Sequence, residues 1–376
     1  MLHDVLERHC CCPGSQPTPP GVFVGWGAVG AIAMKRGRSR ELDTGGSAGP
    51  LSLVGPMPNS PTGRLGLVSS ANPWPMTKMC EGRVVVITGA GRGIGREYAL
   101  MMAGEGAKVV VNDVGGSRDG AGHSEGPAHD VVAEIEAMGG QAAANGDDIS
   151  TWDGAGNVVK QAIDTFGTLD VVVNNAGILR DRMLVNMTEE EWDAVIKVHL
   201  KGTFGVSRFA AAYWRERSKN GETNDARIIN TTSPSGIYGN AGQTNYGAAK
   251  AGIASFSIIA AMELERYGVT VNAIAPTALT RMTEDLGLGG ASEETKAMMD
   301  PRWIAPLCTW LASPQSAGVT GRVFEASGAY LAVAESWHRG PSAAPVDDPS
   351  EVDAVIRPLL AKARPNSDMF GNDKPA

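Results

Sequence analysis

The segment Val84–Gly95 reads V-V-V-I-T-G-A-G-R-G-I-G and joins a continuous apolar run to a glycine-rich turn. An unbroken apolar run is typical of a strand that is buried on both faces. In the turn, Gly89 lets the chain reverse, Gly93 lets the backbone approach a pyrophosphate, and Gly95 lets helix and strand pack closely. The helix that begins here offers free N–H groups to phosphates. We therefore favour a nucleotide site over the alternative of a tight strand–helix turn.

Strand and helix signals alternate from Lys78 onward. This alternation predicts an α/β fold with a single Rossmann-like, doubly wound parallel sheet of about seven strands and helices on both faces. The predicted strands are Val84–Thr88, Lys108–Asp113, Gln141–Asn145, Leu169–Asn174, Ile228–Thr232, Thr270–Ala275 and Val323–Glu325. The predicted helices are Arg96–Ala103, Pro127–Met138, Thr151–Phe166, a helix-rich section that ends near Ser218, and Tyr246–Tyr267.

Residues after the second and third strands bear on the choice of cofactor. Asp113 closes the second strand, where dinucleotide folds place an acid that accepts hydrogen bonds from the adenosine ribose hydroxyls. A carboxylate there repels a 2′-phosphate and so favours NAD. Arg92, in the glycine turn, could bind that phosphate, but the acid lies closer to the discriminating hydroxyl. We therefore expect NAD, with NADP less favoured. Asp148-Ile149 either lines the adenine or, through the aspartate, caps a helix.

Ser233, Tyr246 and Lys250 follow the fifth strand and form the candidate catalytic set. Tyr246 and Lys250 stand four residues apart, so they share one face of a helix. A phenol has a reference pKa of ~10, and a nearby ammonium can lower it by roughly 1–3 units. Tyr246 is thus a candidate proton donor or acceptor for an alcohol/ketone pair, with the Ser233 hydroxyl holding the substrate oxygen. Alone, such a Tyr/Lys pair is commonly just part of a solvated helix face.

The bulk composition is that of an ordinary soluble enzyme, with 43% hydrophobic residues, 20% charged residues and a net charge of −8. The acidic balance argues against nucleic acid or an anionic membrane as the main partner. The five cysteines show neither a disulfide framework nor metal-ligand spacing. We therefore expect no metal and a reducing, cytoplasmic location.

Composition also divides the chain into regions. Residues 1–75 are rich in Gly and Pro, which predicts a disordered, low-complexity extension. Its apolar run, Gly21–Met34, is too short to span a bilayer, and the basic cluster follows that run, opposite to a secretory signal. Alternatives for this region are translation that starts downstream, at Met76 or Met79, and a targeting role. We place the folded domain at 76–340 and a C-terminal tail at 341–376.

Together these motifs resemble the short-chain dehydrogenase/reductase family. T-G-A-G-R-G-I-G at 88–95, N-N-A-G at 174–177, Ser233 and Y-G-A-A-K at 246–250 match its order and spacing over roughly residues 80–330. The resemblance implies that Tyr246 is the acid/base, that Lys250 steadies the nicotinamide ribose and the phenolate, and that Ser233 holds the carbonyl. The implied cofactor-binding residues are Gly89, Arg92, Gly93, Ile94, Gly95, Asp113, Asp148, Ile149, Asn174, Ala176, Gly177, Tyr246, Lys250, Pro276 and Thr280.

One family position differs in this chain. The family's catalytic tetrad includes an Asn in the helix before the fifth strand, and the matching segment here, V-I-K-V-H-L-K-G-T-F, has His199. This histidine could hydrogen-bond a relay water to Lys250, or it could be structural. Both interpretations stay open at this point.

Further segments resemble the dehydrogenase part of the peroxisomal multifunctional enzyme type 2 family. These are V-H-L-K-G-T-F, N-D-V-G-G at 112–116 and G-I-Y-G-N at 236–240. That family oxidises (3R)-3-hydroxyacyl-CoA thioesters and some hydroxysteroids with NAD, which implies a lipid-type substrate. No hydratase or sterol-carrier part follows and no peroxisomal address ends the sequence, so we expect a stand-alone bacterial dehydrogenase.

Other functions remain as alternatives. One is an NADPH-dependent 3-oxoacyl-thioester (acyl-carrier-protein) reductase, and another is a catalytically silent nucleotide-binding regulatory protein. The joint presence of Ser233, Tyr246 and Lys250 argues against the silent protein. The small residues of Tyr246–Tyr267 lead us to expect a homodimer or homotetramer. Met282–Asp300, rich in Gly and Met, falls where the family has a mobile substrate loop, with an ordinary surface helix as the alternative.

Overall fold

Eight strands form one sheet in the computed structural model, which describes residues 77–124, 126–280 and 292–373. The strands are β1 (Val84–Thr88), β2 (Lys108–Asn112), β3 (Gln141–Asn145), β4 (Val171–Asn174), β5 (Ala226–Thr231), β6 (Val269–Pro276), β7 (Val323–Ala326) and β8 (Leu331–Ala334). Their order in the sheet is β3-β2-β1-β4-β5-β6-β7-β8. Only β8 runs antiparallel, against β7. The prediction of one doubly wound parallel sheet is confirmed, with one strand more than expected.

Helices cover both faces of the sheet. They are α1 (Gly93–Gly104), α2 (Gly126–Ala137), α3 (Trp152–Phe166), α4 (Glu189–Ile196), α5 (Gly202–Lys219), α6 (Pro234–Ile237), α7 (Thr244–Leu264), α8 (Glu293–Met298), α9 (Ala305–Ala312) and α10 (Val352–Lys362). A π-helical turn, Lys197–Lys201, joins α4 to α5. Short 3₁₀ turns lie at Leu184–Asn186, Glu265–Tyr267, Pro301–Trp303, Pro314–Ser316 and Pro349–Glu351.

Two apolar layers hold the sheet between the helices. Successive side chains of a strand point to opposite faces, so β1 contributes to both layers. Val85 and Ile87 pack with residues of α1, α2 and α9, and Val84 and Val86 pack with residues of α3, α5 and α7. Every residue of β1 is buried. This explains why the segment lacks the polar alternation of a one-sided strand.

The sheet reverses its winding between β1 and β4. β1 pairs with β2 on one side and with β4 on the other, both in parallel. The chain therefore builds outward in opposite directions from β1, and the connections leave a crevice at the carboxyl ends of the strands. In open α/β sheets this switch point is where ligands bind. The glycine turn of residues 89–95 lies directly at it.

The C-terminal part of the chain holds two elements that the sequence did not predict. β8 is an edge strand, and its residues Leu331 to Val333 are exposed, so it has no strong buried pattern. α10 lies within the predicted tail 341–376, and none of its residues is buried. All described residues nevertheless belong to one compact unit.

Some expectations fall on residues outside the described part of the chain. The predicted extension 1–75 lies entirely there. Of the predicted loop Met282–Asp300, the structure describes only residues 292–300, which include α8 with Ser292 as its N-cap.

The helical stretch Thr244–Tyr267 is, among the described residues, long and apolar enough by length and composition to cross a membrane. One such helix is weak support for a membrane protein, because core helices of soluble proteins have the same properties. This stretch packs against β6 and the one-turn helix α6, and it carries Tyr246 and Lys250.

Candidate active site

The turn between β1 and α1 depends on its glycines. Gly89 has φ of 63°, and a Cβ there would lie 2.7 Å from the Cα of Ala176. A Cβ on Gly95 would lie 2.2 Å from the carbonyl oxygen of Gly89. The turn therefore packs backbone to backbone against the loop after β4, which any larger residue would prevent.

A cleft of about 640 Å³ opens beside this turn. Of the predicted cofactor-binding residues, those that line it are Gly89, Arg92, Gly93, Ile94, Asp113, Asp148, Ile149, Ala176, Gly177 and Thr280. The described residues that line the cleft do not include Gly95, Asn174, Pro276, Tyr246 and Lys250. The sequence thus brings most of the expected residues to one cavity.

The cleft fits a nicotinamide dinucleotide. The first turn of α1 has no side-chain cap, so its N–H groups can meet an anion. A Cβ added at Gly93 would lie no closer than 3.5 Å to a neighbour, Thr280 Cγ2, which leaves room for a pyrophosphate above the turn. Arg92, Arg180 and Lys197 add positive charge to the wall.

Asp113 is held at the corner of the cleft where the glycine turn meets the end of β2. Its Oδ2 accepts a hydrogen bond from Gly91 N at 2.8 Å, and its Oδ1 accepts one from Gly115 N at 2.7 Å. The carboxylate is therefore fixed in orientation and faces the cleft. Arg92 lies in the same corner, with Nη1 3.5 Å from Gly116 O.

The loops after β3 and β6 contribute the remaining wall. Asp148 Oδ1 accepts a hydrogen bond from Ser150 N at 2.9 Å, so it caps the local turn and lines the cleft as well. The predicted role of Asp148 as a helix cap is wrong, because Thr151 is the N-cap of α3, and its role at the adenine stays a prediction. Pro276 ends β6 opposite Ala326, which directs the following residues toward Thr280 at the cleft.

Asn174 differs from its expected role at the cofactor. Its Nδ2 donates to Ser207 Oγ at 2.9 Å and to Asn230 Oδ1 at 2.8 Å, in the interior between β4, β5 and α5. The next residue, Asn175, lines the cleft, and its Nδ2 donates to the carbonyl oxygens of Thr88 and Gly89. Adjacent residues at the end of a strand point to opposite sides, and the motif alone does not say which one faces the cofactor.

Ser233 stands at the end of β5, where the chain turns into α6. Its Oγ accepts a hydrogen bond from Ser235 N at 3.2 Å as the N-cap of that helix, and the residue is buried. The oxygen also hydrogen-bonds the phenol of Tyr246. The sequence therefore brings Ser233 and Tyr246 together across a separation of 13 residues.

The phenol of Tyr246 has a higher pKa than the sequence suggested. Burial raises its pKa to about 12, the Ser233 hydrogen bond opposes this rise, and the negative charge of Asp181 adds to it. The expected lowering by Lys250 does not appear, because removal from water outweighs the attraction of an ammonium that points elsewhere. The ring itself is half-buried.

Lys250 is buried beneath the tyrosine. Its Nζ lies 5.5 Å from the centre of the Tyr246 ring and donates to the carbonyl oxygen of Thr231 at 2.6 Å. Burial lowers the pKa of this amine to about 7. The amine therefore changes its protonation near neutral pH, so it can exchange a proton as well as hold one.

His199 lies between the cleft and the tyrosine, in the π-helical turn. Its Nε2 is 3.1 Å from Ile178 N and 2.8 Å from Ile178 O, and a Cβ on Gly177 would lie 2.3 Å from its Cε1. Burial and the charge of Lys250 lower its pKa to about 3, so the ring is neutral. Its Nδ1 has no hydrogen-bond partner among the described residues. The backbone contact favours the structural role, and a water relay stays a prediction.

A chain of polar side chains near Tyr246 was not predicted from the sequence. Ser235 Oγ donates to Gln243 Oε1 at 2.7 Å, and Gln243 Nε2 donates to Asp181 Oδ2 at 2.7 Å. This chain holds the segment between Ser233 and Tyr246 against the loop after β4. No local motif marks these residues, because their partners are distant in sequence.

Comparison with known proteins agrees with this geometry. The model of the short chain dehydrogenase family matches residues 83–288. The chain therefore belongs to the short-chain dehydrogenase/reductase family. It is an oxidoreductase that acts on CH–OH groups, and the family implies a nicotinamide cofactor.

Individual relatives extend this result. The chain is 43% identical over 305 residues to the hydroxyacyl-CoA dehydrogenase ChsB1 of Mycobacterium tuberculosis, which covers 78% of this chain and 93% of that protein. It is 45% identical over 251 residues to the peroxisomal multifunctional enzyme type 2 of Mus musculus, which covers 67% of this chain but 32% of that enzyme. It resembles the dehydrogenase part of that enzyme. The crystal structure of a short chain dehydrogenase from Mycobacterium avium superposes with a TM-score of 0.69 at 50% identity, over 77% of this chain and 98% of that chain.

Proposed function

We propose that this protein oxidises the secondary alcohol of a 3-hydroxyacyl-CoA thioester or a hydroxysteroid, with NAD as the cofactor. The observation that carries the proposal is the convergence of Ser233, Tyr246 and Lys250 beside the cleft. Ile178 lines the cleft and packs in the same apolar cluster as Tyr246. The proton-transfer residues thus adjoin the cavity that fits a dinucleotide.

The chemistry requires a hydride acceptor and a proton acceptor. A nicotinamide held in the cleft would supply the first, by accepting the hydride from the carbon that carries the hydroxyl group. Tyr246 takes the hydroxyl proton, while the Ser233 hydroxyl holds the substrate oxygen beside the phenol. Lys250 does not lower the pKa of the phenol, so its part in the proposal is to hold or exchange a proton near neutral pH, with its own pKa of about 7. In the reverse direction the protonated phenol donates to the forming alkoxide.

The position of Asp113 supports NAD. Its carboxylate faces the cleft from a fixed orientation, as an acceptor for two ribose hydroxyls must. A 2′-phosphate at the same place would meet that negative charge at short range. Arg92 in the same corner favours the second candidate, an NADPH-dependent 3-oxoacyl-thioester reductase, because its guanidinium could pair with such a phosphate.

An apolar rim beside the site supports a lipid-type substrate. Met183, Leu184 and Val185 are exposed large apolar residues. A Cβ on Gly242 would lie 3.9 Å from Met183 Sδ, so the rim borders the segment that leads to Tyr246. Acyl and steroid substrates both require such a surface. The names of the relatives point to acyl-CoA thioesters.

The proposal also covers the location, the binding partners and the oligomeric state of the protein. The net charge of −8 supports a cytoplasmic enzyme with neither nucleic acid nor a membrane as partner. Exposed apolar residues on α5 and α7 support a homodimer or homotetramer.

A substrate panel tests the function. Purified protein is incubated with NAD or NADP and with 3-hydroxyacyl-CoA thioesters, hydroxysteroids or short secondary alcohols, and NAD(P)H absorbance is followed. The reverse reaction is run with 3-oxoacyl thioesters. Oxidation of a hydroxyacyl-CoA or hydroxysteroid with NAD is the expected result. Exclusive reduction of 3-oxoacyl thioesters with NADPH would replace the proposal by the second candidate, and no turnover of any substrate would leave a silent nucleotide-binding protein.

A further inference from the structure

Tyr238 closes a one-turn helix that begins at Ser233. Ser233 is the N-cap of α6 and Tyr238 is its C-cap, and Tyr238 N donates to Pro234 O at 2.7 Å. Ile237 N also donates to Ser233 O at 3.2 Å. A single hydrogen-bonded turn is a short and stiff connection. The placement of Tyr238 therefore influences where the Ser233 hydroxyl lies.

The phenol of Tyr238 is fastened to the sheet. Its hydroxyl donates to Glu325 Oε1 at 2.6 Å, a distance typical of a hydrogen bond to a carboxylate. Glu325 is buried in β7, opposite Ala275 of β6. Burial, this hydrogen bond and the charge of Glu325 raise the pKa of Tyr238, so its proton stays in the bond.

A hairpin near the C-terminus covers the same hydroxyl. Ser367 and Asp373 form an antiparallel bridge, and Asp368 N donates to Asn372 O at 2.7 Å. At its tip, Gly371 has φ of 79°, and a Cβ there would lie 3.2 Å from the Tyr238 hydroxyl oxygen.

Exposure and charge support this contact. Residues 360–366 are exposed, whereas Ser367, Asp368, Met369 and Gly371 are partly buried. Arg364 pairs with Asp373 at 2.7 Å and closes the base of the hairpin. The positive charge of Arg364 also acts on the Tyr238 phenol.

This cluster is separate from the cofactor cleft. Tyr238, Glu325 and Gly371 are not among the described residues that line the cleft. At the other end of the same segment, Gln243 is tied to Asp181. The segment that joins Ser233 to Tyr246 is thus held at one end by Gln243 and at the other by Tyr238.

We propose that Tyr238, anchored by Glu325 and covered by the C-terminal hairpin, is a positioning residue that places Ser233 for the alcohol substrate. The inference rests on the proposed dehydrogenase function, because it concerns the same site. It assigns to the C-terminal hairpin a part in the substrate site without contact with the substrate.

The first test is Tyr238→Phe, which keeps the ring and removes the hydroxyl. Small displacements of a positioned group can cost up to ~10²-fold, so we expect kcat/KM for the alcohol to fall about 10-fold or more. KM for the alcohol should rise, and Kd for NAD should stay within a factor of about 2. A loss of stability alone would lower the fraction of active protein, but it would leave KM for the alcohol and Kd for NAD unchanged.

Matched variants isolate the cause. Tyr213→Phe removes a hydroxyl of α5 that lies 3.4 Å from Thr168 Oγ1, and this variant should keep the wild-type kinetic constants. Glu325→Gln keeps an acceptor oxygen for the phenol and should retain most of the activity. Gly371→Val should push the hairpin off Tyr238. Gly318→Val is its control, because Gly318 has the same φ of 79° with no atom within 4 Å of a Cβ.

The outcomes separate this inference from the proposed function. If wild-type protein turns over an alcohol and Tyr238→Phe has the same alcohol KM as Tyr213→Phe, the inference is overturned. If wild-type protein turns over nothing, hydrogen exchange of the backbone from 233 to 246 decides. Faster exchange in Tyr238→Phe is then expected, and unchanged exchange refutes the positioning role. If Tyr238→Phe does not fold, an equal alcohol KM in Gly371→Val and Gly318→Val overturns it.

Discussion

The ring of His199 meets the ring of Tyr246 edge to face, with centroids 5.2 Å apart and an interplanar angle of 85°. The same histidine bonds the backbone of Ile178, which lines the cofactor cleft. One buried side chain therefore connects the cleft wall to Tyr246. Its π-helical turn fits this position, since such turns occur often at functional sites.

Replacing His199 should separate its structural role from a proton-transfer role. His199→Leu removes the partner of Ile178 and leaves buried backbone groups unpaired, which costs about 1–3 kcal/mol of unfolding free energy. His199→Asn retains a polar partner, and we expect it to keep at least about a tenth of wild-type kcat. Because the pKa of His199 is about 3, the pH profile between pH 5 and 9 should keep its shape in the Asn variant. Chemical denaturation measures the change in unfolding free energy, and pH–rate profiles measure the pH dependence of kcat. If the wild-type profile has a titration step between pH 5 and 9 that is absent in His199→Asn, the structural role of His199 is contradicted.

Replacing Asp113 should reduce discrimination between the two cofactors. Asp113→Ser removes the charge that opposes a 2′-phosphate, so kcat/KM for NADP should rise relative to that for NAD by about 10-fold or more. Arg92→Ala is the counterpart, and it should lower the residual activity with NADP more than that with NAD. Steady-state kinetics with each cofactor measure the ratio of kcat/KM for NADP to that for NAD in each variant. A wild-type preference for NADP would contradict the assignment and identify Arg92 as the phosphate ligand.

The buried Lys250 should make stability depend on pH. Its pKa is about 7 in the folded chain and about 10.5 when unfolded, so the folded state binds fewer protons between these values. Burial of this amine therefore lowers the free energy of unfolding. The loss is absent above about pH 10.5, grows as pH falls, and is complete below about pH 7. Lys250→Met should therefore raise the unfolding free energy by a few kcal/mol more at pH 6.5 than at pH 10. Urea unfolding at both pH values measures the difference. An equal effect of the substitution at both pH values would show that the pKa of Lys250 is not lowered in the folded protein.

Local patterns predicted much of this fold and site. The turn at 89–95 and the spacing of Tyr246 and Lys250 are set within single elements, so the sequence alone places them. β8 lies at the sheet edge, and the exposed pattern of Leu331–Ala334 gives no signal for a strand.

Other features depend on contacts between distant residues. Whether Asn174 or Asn175 faces the cleft follows from how β4 meets α5 and β5. The pKa of Tyr246 depends on its burial, which no motif encodes. Tyr238 and Glu325 pair across 87 residues, and only the assembled sheet brings them together.

The α5–α7 surface should mediate self-association. Phe204, Ile259 and Met262 are exposed, and the last residue borders a groove of about 600 Å³ between the two helices. Met262→Glu should place a charge in that contact and shift the protein toward monomer. Met138→Glu, at another exposed methionine after α2, is the control and should not. Light scattering at micromolar concentration measures the mass, and a monomeric wild type would contradict the prediction.

Removing the Tyr246 hydroxyl tests the chemistry itself. A general acid–base group is typically worth ~10²–10⁴ in rate, so Tyr246→Phe should lower kcat at least that far. NAD affinity should be nearly unchanged, because the phenol lies outside the described cleft wall. Ser233→Ala should also lower kcat at constant NAD affinity. Lys250→Ala should lower kcat and also NAD affinity, because the family resemblance implies that Lys250 contacts the nicotinamide ribose. Because the pKa of Tyr246 is about 12 and the base is the phenolate, kcat/KM for oxidation should rise with pH from about 7 to 10 without a plateau. Reduction uses the protonated phenol, so kcat/KM for reduction should not rise between about pH 7 and 10. Retention of more than about a tenth of wild-type turnover by Tyr246→Phe would show that the proton moves by another route.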